Sequence, residues 1–253
     1  MKNQKPNYGY PLLSILTRLT FGITLILCLI ILMIFQVHLA IILAYVFLFF
    51  PLYIFVAIIL FKKNFYIYRI NIQNQILQGL DLNGDEKILD LGAGAGALTI
   101  FFAKNLNEGK VYGLDKYGKS KEKIWKKFVF FIRNNYIGHT IENAQRNAEI
   151  ENVSDRCEFI KSDFTQRLNF SEEFFNVVAS FQSLHLIPPE KLKPVMKEIN
   201  RVLKRGGAFV FFEPVKYLSW DSEKVKNYFS SIEYKVIIRK LYPRAIIQGK
   251  KVK

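Results

Sequence analysis

Residues 87–99 read KILDLGAGAGALT, and no other stretch limits the possible folds as strongly. An apolar, β-type run (Ile88, Leu89, Leu91) carries one carboxylate, Asp90. It breaks into Gly92-Ala93-Gly94-Ala95-Gly96 and resumes as helix-like sequence, Ala97-Leu98-Thr99-Ile100-Phe101-Phe102. Glycines at alternate positions allow a sharp turn at a strand end and remove the Cβ atoms that would hold a ligand off the main chain. The helix that follows points free N–H groups at whatever occupies the turn. The pattern predicts a small-molecule cradle at the carboxyl end of the first strand of an α/β sheet.

The rest of the C-terminal part alternates in the same way. Strands are expected at Lys87–Leu91, Lys110–Leu114, Cys157–Lys161, Phe175–Ala179 and Ala208–Glu213. Helices are expected at Phe65–Leu80, Ala95–Asn105, Thr140–Glu151 and from Pro188-Pro189 to Leu203, the last closed by Gly206-Gly207 at its C-cap. Lys224–Ser231 reads as a short helix, and Tyr234–Leu241 with Ala245–Lys250 as a final antiparallel pair. Strands alternating with helices argue a parallel sheet with right-handed crossovers.

Upstream lies a different kind of chain. From Leu19 to Phe61 there is no Asp, Glu, Lys or Arg, and polarity rises only at Gln36-Val37-His38. A spanning helix needs about 20 apolar residues, so the run fits two spans, at 13–35 and 39–61, joined by a tight turn. Pro51 falls inside the second. Positive charges (Lys2, Lys5, Arg18, Lys62, Lys63) flank the outer ends and none lies in the turn, which places both termini and the following domain on the cytoplasmic side. The chain of 253 residues is thus expected to be a transmembrane helical hairpin (1–63) followed by one α/β domain (64–253). That domain is Rossmann-like and doubly wound, mostly parallel with an antiparallel last strand.

Lys and Arg number 36 against 21 Asp and Glu, a net charge of +15. Beside an apolar hairpin such a surplus favours an anionic bilayer face as partner over nucleic acid. Segment 116–138 interleaves many Lys and Arg with Tyr117, Trp125, Phe128, Phe130, Phe131 and Tyr136, a mixture suited to the headgroup zone near the pocket mouth. Cys28 and Cys157 make no disulfide framework and are expected to be reduced and buried. His38, His139 and His185 lack metal-ligand spacing, so no metal is expected.

The cradle admits three ligand classes on local pattern alone. Gly92-x-Gly94-x-x-Ala97 followed by Asp115 fits a nicotinamide dinucleotide. Gly113-x-x-x-x-Gly118-Lys119-Ser120 fits an ATP-type phosphate loop. The third class is a sulfonium nucleoside without phosphate. The dinucleotide reading lacks a Tyr-x-x-x-Lys pair after the fourth strand, and the phosphate loop would put Asp115 inside an anion cradle.

Taken together, residues 85–215 resemble class I S-adenosylmethionine-dependent methyltransferases, and within them prokaryotic membrane-anchored members with two N-terminal transmembrane helices. The resemblance rests on DLGAGAG at 90–96, Asp115 ending the second strand, CEFIKSDF ending in Asp163 and Phe164, FNVVASFQSLHLI around the fourth strand, and RVLKRGG before the fifth. Asn176 departs from the acid often found before the fourth strand. The resemblance implies S-adenosyl-L-methionine as cofactor. Asp90 would face its cationic methionine end, and Gly92, Ala93, Gly94 and Gly96 would pack on its main body. Asp115 would accept from the ribose, and Asp163 and Phe164 would frame the adenine. Ser180 and Phe181 would lie near the transferred methyl. His185, just past the fourth strand, is the best base candidate. It is needed only if the acceptor loses a proton. Tyr217 and Trp220 are candidates to line an acceptor pocket. A hydrophobic anchor favours a lipid-like or quinone acceptor. The competing class is a non-catalytic, nucleotide-binding membrane adaptor.

Overall fold

A computed structural model describes residues 11–32, 39–117, 140–215, 229–237 and 243–251. Its elements are α1 (Pro11–Leu32), α2 (Leu39–Gln78), β1 (Lys87–Leu91), α3 (Ala97–Lys104), β2 (Lys110–Asp115), α4 (Ile141–Ile150), β3 (Cys157–Lys161), β4 (Phe175–Phe181), α5 (Pro189–Val202), β5 (Leu203–Pro214), β6 (Phe229–Ile237) and β7 (Arg244–Lys251). The described chain divides into two compact units, one built on the sheet from Gln73 onward and one holding α1 with α2 as far as Ile72.

In the first unit the strands form one seven-stranded sheet in the order β3-β2-β1-β4-β5-β7-β6. β1 pairs in parallel with both β2 and β4, and β4 in parallel with β5. β7 runs antiparallel to both of its neighbours. The chain reverses its winding at the β1/β4 boundary, the position where open α/β sheets leave a crevice at the carboxyl ends of the strands. β1 is buried along all but its first residue, as a central parallel strand covered on both faces must be.

The helices follow from local sequence. Thr140 caps α4 by accepting from the Asn143 N–H at 3.2 Å, with Glu142 in the first turn. Pro189 opens α5, whose buried face is Val195, Met196, Ile199 and Val202. That face joins a core of Leu89, Leu91, Phe175, Phe209, Phe211 and Ile247.

Four local expectations are corrected. Gly206-Gly207 does not cap the helix: β5 begins at Leu203, and the glycines lie in an irregularity where register jumps from Phe175↔Leu203 to Val177↔Ala208. Residues 229–231, expected to end a helix, belong to β6. The expected helix at 65–80 is the continuation of α2, whose final turns enter the first unit through buried Ile76. Cys157 is half-buried rather than buried, and it is a free thiol like Cys28. The segment 118–138, the turn at 36–38, Tyr217, Trp220 and His139 lie outside the described residues.

In the second unit, α1 and α2 present large apolar side chains to the surroundings on several faces, with Phe21 at 74%, Leu48 at 68% and Tyr53 at 69% exposure. Thr20 and Thr24 donate their hydroxyls to carbonyls one turn back, Leu16 O and Thr20 O, each at 2.6 Å. Among the described residues no helix is long and apolar enough to cross a membrane. The two spans expected from the sequence therefore have no structural support.

Phe209 is fully buried, with its ring 5.0 Å from Phe211 and 4.4 Å from Phe229. Phe209→Ala is expected to destabilise the sheet unit by about 3–5 kcal/mol, read in urea as a lower midpoint at unchanged slope. A loss below about 1 kcal/mol would contradict this packing.

Candidate cofactor-binding site

Asp90 is the fourth residue of β1, next to last in the strand, and only 1% exposed. Its Oδ2 accepts from the Thr99 hydroxyl at 2.6 Å, reached from the first turn of α3. Its Oδ1 is buried and has no hydrogen-bond partner among the described residues. Burial pushes its pKa up to about 7. The Thr99 hydrogen bond pulls the other way, and the charge of Asp115 adds to the rise. A buried carboxylate oxygen with nothing to accept from is costly unless a ligand supplies the donor or the charge.

The glycine loop is stitched to β2 on one side. Gly92 and Ala93 donate to the Leu114 carbonyl at 2.7 and 3.0 Å, and Gly94 donates to Asp115 Oδ2 at 3.0 Å. On the other side, Asn147 of α4 donates its amide to Ala95 O at 2.9 Å, and Gln73 donates to Ala97 O at 3.0 Å. Gly92 (φ +81°) and Gly96 (φ +83°) hold left-handed backbone. A Cβ on Gly92 would overlap the Ser183 hydroxyl, and one on Gly96 would lie 2.8 Å from the Phe159 ring. The loop is therefore held by β2 on one side and by two helices on the other.

Asp115 has a part in this that its position alone did not reveal. Oδ2 accepts from Gly94 and Oδ1 from the Tyr117 N–H at 3.1 Å, so the carboxylate clamps the loop. Each oxygen retains lone-pair capacity for one further donor. Tyr117 adopts φ +37°, and its buried hydroxyl has no hydrogen-bond partner. Burial, with Asp115 and Asp90 nearby, pushes that phenol well above its ordinary value.

Asp163 lies just past β3. Its Oδ1 accepts from the Thr165 N–H at 2.9 Å and the Thr165 hydroxyl at 2.7 Å, and its Oδ2 meets the Lys116 ammonium at 3.0 Å. Partial burial works to raise its pKa, but the Thr165 hydrogen bonds and Lys116 outweigh it and hold the carboxylate below its ordinary value. Phe164 packs against the core, with its ring 3.8 Å from where a Gly92 Cβ would stand. Asp90, the glycine loop, Asp115, Asp163 and Phe164 thus gather at the carboxyl ends of β1, β2 and β3.

Ser180 and Phe181 are placed differently from that group. Ser180 is fully buried and donates to Leu91 O at 3.1 Å, and the Phe181 ring packs 4.9 Å from Phe212. The hydroxyl that reaches the loop is that of Ser183, donating to Gly92 O at 3.3 Å.

His185 begins no helix of its own but lies in a short 3-10 turn, Leu184–Leu186. Its Nδ1 is 2.8 Å from Glu213 Oε2. Glu213, 1% exposed near the end of β5, also accepts from the Ser183 and Leu184 N–H groups at 2.9 Å and from the His185 N–H at 3.3 Å. Sequence reasoning passed over Thr99, Lys116, Ser183 and Glu213. The one available signal was Glu213, a lone acid closing the apolar run AFVFFE.

Comparisons with known proteins agree with this geometry. Residues 131–211 match the family model described as a methyltransferase domain. A sterol 4-C-methyltransferase of Caenorhabditis elegans is 37% identical over 92 residues, covering 34% of this chain and 27% of that protein. A sterol 24-C-methyltransferase of Aspergillus fumigatus is 31% identical over 141 residues, covering 56% and 31%. The chain spans about a third of the length of these curated relatives. In fold it is similar to the PH0226 protein of Pyrococcus horikoshii, with TM-score 0.54, 20% identity, and coverage of 74% of this chain and 91% of that one. Residues 131–211 are thus similar to a methyltransferase domain, and the sheet unit shares the fold of the PH0226 protein.

A cationic ligand needs Asp90 ionised. Burial holds the proton on Asp90 to about pH 7, whereas the unfolded chain releases it in the ordinary carboxylate range. Its burial thus favours folding at low pH, and that contribution is lost as pH rises through about 7. Ligand binding has the opposite sign. Affinity for S-adenosylmethionine is expected to rise between about pH 6 and 8, with up to one proton released per site, read by calorimetry in buffers of different ionisation heat. Asp90→Asn should weaken binding and flatten that dependence. A pH-independent affinity in the parent protein would contradict the assignment.

Proposed function

We propose that this chain, whose sheet unit is an S-adenosylmethionine-dependent methyltransferase domain, moves a methyl group from that cofactor to a lipid-like acceptor at a membrane surface. The observation that carries the reading is the partnerless Asp90 oxygen buried beside a preformed glycine cradle. Asp90, beside the glycine turn, repels phosphate once ionised, which argues against NAD and ATP. The cofactor supplies an electrophilic methyl carbon on a positively charged sulfur.

The chain's own residues do the rest. Asp90 meets the cationic end, and the unused lone pairs of Asp115 take the ribose hydroxyls. Asp163 offers an acceptor to the base amino group, sharing its charge with Lys116. A rigid loop places the ligand without reorganisation, and alignment of two reactants in a water-poor site supplies most of the rate.

Support for a lipid-like acceptor comes from two directions. The relatives of known name are sterol methyltransferases, and the second unit exposes large apolar side chains on several faces, which suits a bilayer better than water. In this proposal α1 and α2 anchor the chain as two spans, with both termini and the sheet unit on the cytoplasmic side.

The test is methyl transfer from tritiated S-adenosylmethionine to a total membrane lipid extract. Label is expected in the organic phase, reduced at least about 100-fold by Asp90→Ala. Label confined to protein or water-soluble products would refute the lipid acceptor. Transfer to nothing, with cofactor binding intact, would favour the adaptor role. In membrane vesicles of known orientation, Val37→Cys in a Cys28→Ser, Cys157→Ser background should react with an impermeant maleimide only from the side opposite the sheet unit. Reaction from the same side would refute the two-span anchor.

A further inference from the structure

Tyr117 follows β2 by two residues, and several observations set it apart. Its backbone adopts φ +37°, in the left-handed region that an L side chain rarely enters without a local cause. Its N–H donates to Asp115 Oδ1 at 3.1 Å, which ties it to the carboxylate that also takes the Gly94 N–H. Its hydroxyl oxygen is buried without a hydrogen-bond partner among the described residues. The charges of Asp115 and Asp90 both act on the phenol, which places it beside the acids of the cradle. Burial and those two charges keep it protonated, so the hydroxyl is a donor at any working pH.

Such a donor is unfavourable to bury unless something accepts from it. Other side-chain donors around the loop are committed: Thr99 to Asp90, Ser183 to Gly92 O, Gln73 to Ala97 O and Lys116 to Asp163. A ribose hydroxyl has both needs, since it gives a hydrogen and accepts on its oxygen. Asp115, an acceptor only, can take the hydrogen but leaves the oxygen unserved. A carboxylate on the ligand is the poorer acceptor, because the Asp115 carboxylate beside the phenol repels it.

Resting on the S-adenosylmethionine reading above, we propose that Tyr117 is a further ligand-binding residue of the cradle, and that its hydroxyl donates to a ribose oxygen whose hydrogen Asp115 accepts. The two side chains then recognise a ribose hydroxyl from its two sides, and they select ribonucleosides over deoxy analogues. The hydrogen bond from the Tyr117 N–H to Asp115 holds the left-handed backbone in place and couples the pair.

The test is calorimetric titration of the full chain in detergent at about pH 8, where Asp90 is ionised. The ligands are S-adenosylhomocysteine, which keeps the same ribose as the cofactor, and its 2′-deoxy and 3′-deoxy analogues. Tyr117→Phe keeps the ring and removes the hydroxyl. It is expected to weaken S-adenosylhomocysteine binding about 3- to 10-fold. For the deoxy analogue that lacks the contacted oxygen, parent and variant are expected to bind alike. The ligand-free variant is expected to melt no lower than the parent, because the hydroxyl it loses has no partner there.

A hydroxyl that merely supports the fold would behave otherwise, lowering the melting temperature and shifting all of these affinities together. That pattern, or unchanged affinity for S-adenosylhomocysteine in the variant, would overturn the proposal. A parent protein that takes up no S-adenosylhomocysteine would remove the cofactor reading and this assignment with it. A parent that binds it, with a variant that binds equally well, removes this assignment alone.

Discussion

One carboxylate oxygen without a partner organises the sheet unit. Asp90 stands in the most enclosed strand, flanked on both sides by parallel neighbours, where burial penalises charge. Thr99 satisfies one oxygen and nothing satisfies the other. A sheet interior tolerates such a group when something outside the chain completes it. The rest of the site reads as provision for that visitor. The glycines bring backbone to it, Asp115 clamps the loop beside it, and Asn147 and Gln73 hold the loop from the helices.

The winding reversal explains why two acids rather than one govern the chemistry. β1 and β4 diverge at their carboxyl ends, and each neighbouring strand can deliver a side chain to the crevice. From the β2 side comes Asp115, which shapes the loop. From the β5 side comes Glu213, which shapes the turn after β4. Ser183 ties the two halves, since its hydroxyl reaches Gly92 O while its N–H reaches Glu213. Both acids therefore act through backbone geometry as well as charge.

Much of this was legible in the sequence, and the parts that were not have physical reasons. β1 and β3 appear at their expected bounds because apolar β-type runs end at unambiguous turn residues. The glycine pair 206–207 misled because glycine serves a helix cap and a strand irregularity equally well, and only the pairing register separates them. Residues 229–231 became strand because β7 offered them a partner, a tertiary fact outside local propensity. Of the site, Asp90, the glycines, Asp115, Asp163 and Phe164 gather as the motif order implied. Ser180 spends its hydroxyl on Leu91 O, directly before the loop, because a side chain at the end of a strand takes its direction from the alternation of the sheet. Glu213 was invisible for a related reason: its partners lie about thirty residues away and meet it only when β4 and β5 pair.

The central claim is that the cradle takes a positively charged nucleoside without phosphate. Calorimetric titration of the full chain with S-adenosylmethionine, NAD and ATP, each alone at about pH 8, tests it most directly. The account predicts saturable one-to-one binding of S-adenosylmethionine and no heat of binding from the other two. Saturable uptake of NAD or ATP, with none of the sulfonium compound, would contradict it.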